Sequence, residues 1–325
     1  MKKFIRTIFF ASGILALFAV SCSGSYILAT IENEVKLNKA TARGSIRSIV
    51  KIGSTLYCSN GEILTKAEFS EDDWTTISSP VSGQCSGLAT DGTKLFASFN
   101  KYYEGQYGVY VLDRGSWKKV PNSDNIQIVK GSGTVFGSDG STTYVITESG
   151  LGTKIDGTLN AAGRDYAATS AGLFKGGAKV ANAPSGICAI DPDGKYFLTA
   201  GELIAASDVT KKYAHRISQP SGVALMTING TDHILVAKNG GYSEIIVDDP
   251  SDVTKSRPVS GGMISGGSLE QYEASVGKYP VKCIYAGSNG SGTFYIYLGV
   301  NDPHFAKYTG LWGFYSAGKK EWNRE

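Results

Sequence analysis

A hairpin phrase recurs about every 40 residues, and this period constrains the fold more than any other feature of the chain. It is plainest in "SIRSIVKIGSTLYCSN" (45–60), "CSGLATDGTKLFASFN" (85–100) and "IQIVKGSGTVFGSDG" (126–140). Each copy has a β-rich arm, a tight Gly-containing turn, and a second arm of large, aromatic and small residues. Further copies read "GICAIDPDGKYFLTAGE" (186–202), "GVALMTINGTDHILVAKNG" (222–240) and "VKCIYAGSNGSGTFYIYLGV" (281–300). A compressed one reads "RDYAATS" (164–170), then "AGLFKGG" and "AKVANAP". A unit of roughly 40–45 residues is the length of one four-stranded propeller blade.

Third and fourth strands follow most phrases. Blade one adds "EILTKAEF" and "DWTTIS", blade two "GVYVLDRG" and "SWKKVP", and blade three "TTYVITES" and "GTKIDG". Blade five adds "LIAASDV" and "AHRISQ", blade six "YSEIIVDD", and blade seven "GLWGFYSAG" and "KKEWNR". The expected fold is all-β: a single β-propeller over 45–325, with seven blades of four antiparallel strands. The short fourth copy and the long 249–280 link leave six or eight blades open. A sandwich or barrel also has many short strands but does not require this period.

Composition agrees. The 325 residues include 41 Gly and 18 Tyr against 3 Met, as suits short half-buried strands joined by turns. Asp-Gly, Asn-Gly and Ser-Gly pairs supply the positive φ of tight hairpins. Helical periodicity is confined to "GGSLEQYEASVG" (266–277). Closure of the ring leaves no sheet edge open. The stretch 25–40 either adds an outer strand to the last blade or tethers the disc.

The N-terminus, "MKKFIRTIFFASGILALFAVSCSGS", has basic residues, an apolar run and small residues before Cys22. This is a secretory signal layout, and the apolar run is short for a membrane span. Ala19-Val20-Ser21 before Cys22 resembles a bacterial lipobox of the relaxed kind found in spirochaetes. The resemblance implies removal of a signal peptide at 1–21 and acylation of Cys22. Several acyl chains, at about 0.8 kcal/mol per buried CH₂, hold a domain durably at a membrane. An ordinary signal peptide cleaved nearby is the alternative. Ser23 differs from the Asp that retains many lipoproteins in the inner membrane, which favours the outer membrane with a periplasmic or surface-facing domain.

Loss of Lys2, Lys3 and Arg6 with the signal peptide takes the 32 basic residues to 29, equal to the 29 acidic ones. A neutral chain offers no electrostatic footprint for nucleic acid, so none is expected as a partner. Cys58, Cys85, Cys188 and Cys283 have no paired metal spacing. An exported protein could oxidise them. Their apolar or small-residue surroundings favour buried free thiols instead.

"GLW", "GVY" and "GLF", followed by a hairpin and then "SW", "EW" or "DW", resemble the blades of sialidase-like and photosystem-assembly-like propellers. Asp113, Gly115 and Trp117, and Ser316, Gly318 and Trp322, keep parts of the sialidase Asp-box. The resemblance spans about 280 residues and implies fold rather than activity. A sialidase would need an arginine triad, drawn here from Arg43, Arg47, Arg114, Arg164, Arg216, Arg257 and Arg324. "SRPV" (256–259) only echoes the sialidase arginine motif and comes late in the chain.

Other chemistry is sparse, so no catalytic, metal or cofactor residues are assigned. "DPDGK" (191–195) starts like a calcium loop, with Glu202 at the twelfth position, but its glycine is out of register and a strand follows. It reads as a hairpin turn. His215, His233 and His304 are far apart. Glu71-Asp72-Asp73 and Asp248-Asp249 fall in turns. No nucleophile elbow, P-loop or Rossmann pattern occurs.

The unusual lengths lie on one face. A–B connections are tight, whereas the B–C loops of blades two and seven and the six-to-seven link are long. The first two carry Tyr102, Tyr103 and Tyr107, and His304, Phe305 and Tyr308. Tyr and Phe bury large area at small entropy cost, which suits a contact surface. Packing under their own loops is the alternative. The A strands "CSGLAT", "GICAI", "GVALM" and "VKCIY" carry few charges, which favours a protein- or glycan-binding or scaffolding module of the envelope. The second reading is a propeller enzyme, a glycan hydrolase or lyase.

Overall fold

Seven hairpin-rich units form seven antiparallel four-stranded sheets. The computed structural model describes residues 41–101, 107–259, 280–301, 309–318 and 322–325. Blade one comprises β1 (Ser48–Ile52), β2 (Thr55–Ser59), β3 (Ile63–Ala67) and β4 (Thr75–Ile77). Blade two comprises β5 (Gly83–Thr90), β6 (Leu95–Lys101), β7 (Tyr107–Asp113) and β8 (Ser116–Lys119). Blade three comprises β9 (Ile128–Lys130), β10 (Val135–Ser138), β11 (Thr142–Thr147) and β12 (Gly150–Asp156). Blade four comprises β13 (Leu159–Gly163), β14 (Tyr166–Thr169), β15 (Gly172–Lys175) and β16 (Ala178–Lys179).

Blade five comprises β17 (Ala189–Ile190), β18 (Tyr196–Leu198), β19 (Glu202–Ala205) and β20 (Asp208–Ala214). Blade six comprises β21 (Gly222–Ile228), β22 (Thr231–Ala237), β23 (Tyr242–Val247) and β24 (Arg257–Pro258). Blade seven comprises β25 (Val281–Ser288), β26 (Phe294–Val300), β27 (Gly310–Tyr315) and β28 (Asn323–Arg324). Among the described residues the only helical element is a 3₁₀ turn at Val253–Lys255.

Three sequence boundaries are corrected. "RDYAATS" is the second strand of blade four, because the Ala- and Gly-rich β13 precedes it as the inner strand. Small residues there hid the strand signal. The outer strand of blade five is Asp208–Ala214 rather than "AHRISQ". The long link after blade six contains that blade's own outer strand, β24, which lies at a Pro and pairs only through Ile245 and Ile246. The short helix expected at 266–277 lies outside the described residues.

Burial grades from axis to rim. The second strands β18 and β26 are buried throughout, because a neighbouring blade covers each of their faces. Such strands read as continuous apolar runs rather than alternation. The outer strands β16 and β24 are exposed. The core is accordingly divided into layers between blades. Separate apolar clusters join blades one and two, two and three, three and four, four and five, and five and six. Blades six and seven meet through Tyr242 against Trp322, with ring centroids 6.0 Å apart, and through Ser221 Oγ, which donates to Val281 O at 2.6 Å. Near the axis backbones crowd: a Cβ on Gly163 would lie 2.1 Å from Asp191 O, and one on Gly87 would lie 2.7 Å from Val129 O.

Closure uses both ends of the described chain. Glu325 N donates to Leu311 O at 3.0 Å, while Leu311 N donates to Ala42 O at 3.0 Å and Thr41 N and Ala42 N both donate to Glu325 O at 2.9 Å. Arg43 bridges Gly310. The segment 41–43 thus continues the outer strand of blade seven, just beyond the stretch 25–40 that the sequence offers for that role. Ile46, Ile49 and Leu56 then pack with Tyr285, Tyr295 and Tyr297 across the seam.

A buried polar cluster fixes the seam. Glu325 Oε2 lies 2.6 Å from Lys66 Nζ, with side-chain exposures of 6% and 2%. Trp74 Nε1 donates to the same oxygen at 3.0 Å, and Tyr315 OH donates to Oε1 at 3.1 Å. Lys66 Nζ also donates to Tyr315 OH at 2.8 Å and sits 5.1 Å from that ring's centroid. Burial pushes the phenols of Tyr315 and Tyr297 far up, so both stay protonated. A Cβ on Gly313 would lie 2.2 Å from Glu325 Oε1, so the carboxylate occupies space that only glycine leaves. Removing one member of a buried ion pair typically costs about 3–5 kcal/mol, since the other charge is stranded. Lys66→Met should therefore lower the unfolding free energy by about 3 kcal/mol, and Lys66→Met with Glu325→Leu by less. Urea unfolding of the single and double variants checks the order.

Candidate functional site

The strand ends sort the connections by face. All seven inner strands turn into their partners through short A–B connections, from two residues after β1 to five after β17 and β25. Of the connections the sequence singles out, that between β24 and β25 has 22 residues, that between β26 and β27 nine, and that between β6 and β7 only five, because β6 and β7 extend further than expected. These are two B–C connections and one D–A connection, which share the face where the inner strands begin. Tyr107 opens β7, its backbone paired with Asn100. Tyr102, Tyr103, His304, Phe305 and Tyr308 lie outside the described residues, as does Cys22.

On the opposite face, Asp and Asn side chains tie the A–B turns. Asp91 Oδ1 accepts from Thr93 N at 2.8 Å and Lys94 N at 2.7 Å, beside Gly92 at φ +95°. Asn289 Oδ1 accepts from Ser291 N at 3.0 Å. In "DPDGK", Asp191 Oδ1 accepts from Asp193 N at 2.9 Å and Oδ2 from Tyr196 N at 2.5 Å. Asp191 belongs to the turn, as the sequence reading has it. Glu202, twelfth in the supposed calcium loop, pairs instead with Lys212 at 3.0 Å. Among the described residues no group of three potential metal ligands converges.

The histidines have separate local partners. His215 Nε2 lies 3.3 Å from Thr199 O, and its Nδ1 accepts from Ile217 N at 3.3 Å. Burial holds its pKa below the usual value. His233 Nδ1 lies 2.5 Å from Glu244 Oε1. Asp248 pairs with Arg257 at 2.8 Å on the rim, which also places the "SRPV" arginine away from the axis. Asp113 and Trp117 flank the C–D hairpin of blade two, where Trp117 Nε1 donates to Ser78 O of blade one at 2.8 Å. Cys58, Cys85, Cys188 and Cys283 are free. Burial raises all four thiols, Cys85 to about 11 and Cys283 to about 12, which keeps them protonated and unreactive.

The inner strands enclose a cavity of about 310 Å³. Its lining corrects the expectation of few charges. Arg47, Lys51, Lys130 and Lys282 line it, and Asp193 is the only carboxylate among its lining residues. Arg47, Lys51 and Lys130 come from blades one and three, outside the four inner-strand stretches whose sequence carries few charges.

A closed seven-bladed propeller on an exported chain with a lipobox-like leader defines a membrane-anchored propeller lipoprotein. The chain belongs to the TP013X lipoprotein family, which it matches over residues 4–178. It is 28% identical to a lipoprotein of Treponema pallidum (strain Nichols), covering 94% of this chain and 93% of that one. A second lipoprotein of that organism is 25% identical, covering 94% and 95%. Among solved structures the chain is similar to PorZ, a surface component of the type-IX secretion system of Porphyromonas gingivalis. That match has 14% identity and a TM-score of 0.48, and covers 89% of this chain and 39% of PorZ. The chain thus spans about two fifths of PorZ.

Burial raises the Asp191 carboxyl from 3.8 to about 7. The folded state then holds a proton that the unfolded state has released. Stability from this group is fully present below pH 3.8 and falls as pH rises toward about 7. Relative to Asp191→Asn, the wild type should lose urea resistance between pH 4 and pH 7 and stay level above that window. Unfolding midpoints of both proteins across this range test the sign.

Proposed function

We propose that this lipoprotein is a tethered binding module of the bacterial envelope, which engages a protein or glycan through the face bearing the β24–β25 and β26–β27 connections and the β6–β7 loop. The observation that carries the reading is the asymmetry between faces. A–B turns of five residues or fewer close one side, where the nine-residue β23–β24 gap is the exception, while the 22-residue β24–β25 gap and the nine-residue β26–β27 gap open on the other, beside the five-residue β6–β7 loop. The last two blades and the first two are neighbours in the closed ring, so these connections emanate from one sector. Two of them carry Tyr102, Tyr103 and Tyr107, and His304, Phe305 and Tyr308. Aromatic clusters on long loops are what interfaces use as anchors. In this reading residues 1–21 are removed, acylated Cys22 holds the chain at the outer membrane, and the segment 22–44 links lipid to propeller.

Two experiments test it. Tyr102/Tyr103/Tyr107→Ala should lower the yield of an envelope partner or glycan captured by the full chain by about tenfold or more, as loss of interface anchors does. An unchanged set and yield of captured molecules would remove this face from consideration. Cys22→Ser should move the protein from the detergent-rich to the aqueous phase on detergent phase partitioning. A variant still found in the detergent phase would place the anchor elsewhere.

A further inference from the structure

We propose that the mouth of the central channel binds a small ligand carrying two or more anionic groups, whether carboxylate, phosphate or sulfate. The site is separate from the loop aromatics and does not depend on their role.

Arg47 precedes β1 and Lys282 is the second residue of β25, so both stand where the inner strands begin, on adjacent blades. Lys130 comes from β9, on a more distant part of the wall. Its Nζ donates to Asn160 O, in β13, at 2.5 Å. Three cations from three blades therefore line one cavity.

The fourth lining cation and several on the rim are paired with carboxylates, whereas these three are not. Lys51, also in the lining, is neutralised by Glu68 at 2.8 Å. Lys66, Lys94, Lys119, Lys212 and Arg257 likewise have carboxylate partners. Arg47 instead donates to Cys85 O at 2.9 Å and to Gln84 Oε1 at 2.7 Å, both neutral acceptors. Lys130 has only a carbonyl. Among the described residues no carboxylate pairs with Arg47, Lys130 or Lys282. Asp193, the cavity's one carboxylate, belongs to an A–B turn at the channel's other end. The chain without its leader is balanced at 29 basic and 29 acidic side chains, so this excess is local and built by the fold.

Like charges lining one cavity repel one another, and burial lowers the pKa of Lys130. A multivalent anion would relieve both effects. Low-dielectric walls focus the field and favour such a ligand over a neutral one. The volume of about 310 Å³ is at the small end of the roughly 300–1,000 Å³ of ligand sites, which selects a small molecule over a polymer segment.

Isothermal titration of the full chain in detergent, at low ionic strength, tests this with citrate for carboxylates, pyrophosphate for phosphates and sulfate. Glucose serves as the neutral control. At least one anion should bind and glucose should not, with affinity falling as salt is raised. Lys130→Met with Lys282→Met should weaken binding by about tenfold or more, the effect of removing charge-assisted hydrogen bonds. Lys179→Met, which removes a charge on the exposed outer strand β16, should leave it unchanged. The proposal is overturned if no anion binds the wild type, if the double variant binds like it, or if Lys179→Met loses as much. Should the double variant unfold, Lys282→Gln at an exposed position gives the same reading, and unchanged affinity there also overturns the proposal.

Discussion

The buried contact between Lys66 and Glu325 is where this ring becomes a single object. Every other blade interface joins units that are consecutive in the chain, so its partners are close in sequence before folding. The seam between blades seven and one is different. Its two sides are separated by more than 250 residues along the chain, and closing that loop is entropically the most demanding step. The seam is correspondingly the most heavily equipped interface, with main-chain bonds to residues 41–42, an apolar layer and a charged cluster. A buried ion pair is not by itself a strong stabiliser. It does discriminate, because no other register of the seam would leave Lys66 and Glu325 both paired.

Glycines near the axis follow from the same closure. Seven inner strands converge on a small channel, and the backbone of one blade passes within contact distance of the next at Gly87 and Gly163. Outer strands have no such restriction and contribute exposed ion pairs such as Lys119–Asp124, Lys212–Glu202 and Arg257–Asp248. One geometric gradient, crowded inside and open outside, accounts for the burial pattern along every blade.

The same convergence generates the channel's charge. Convergence of the inner strands brings Arg47, Lys51, Lys130 and Lys282, dispersed in the sequence, into the lining of one cavity. The two ends of the disc then differ in kind: Asx-tied turns and Asp193 at one, Arg47 and Lys282 at the other. The long connections open on this second, cationic side, so both proposed binding regions look in one direction.

The sequence alone determined the repeat, and with it a propeller of six to eight blades with seven expected, because turn residues and short β-rich arms are local signals that recur in register. It also determined the turn role of Asp91 and Asp191, whose side chains bond their own following backbone. It misplaced β13 and β20, where small or polar residues weaken the strand pattern and only pairing with a neighbour defines the edge. The partnership of Lys66 with Glu325, the pairing of residues 41–43 into blade seven, and the gathering of Arg47, Lys130 and Lys282 were decided by tertiary structure. None has a sequence signature, since each joins residues far apart in the chain that meet only when the ring closes.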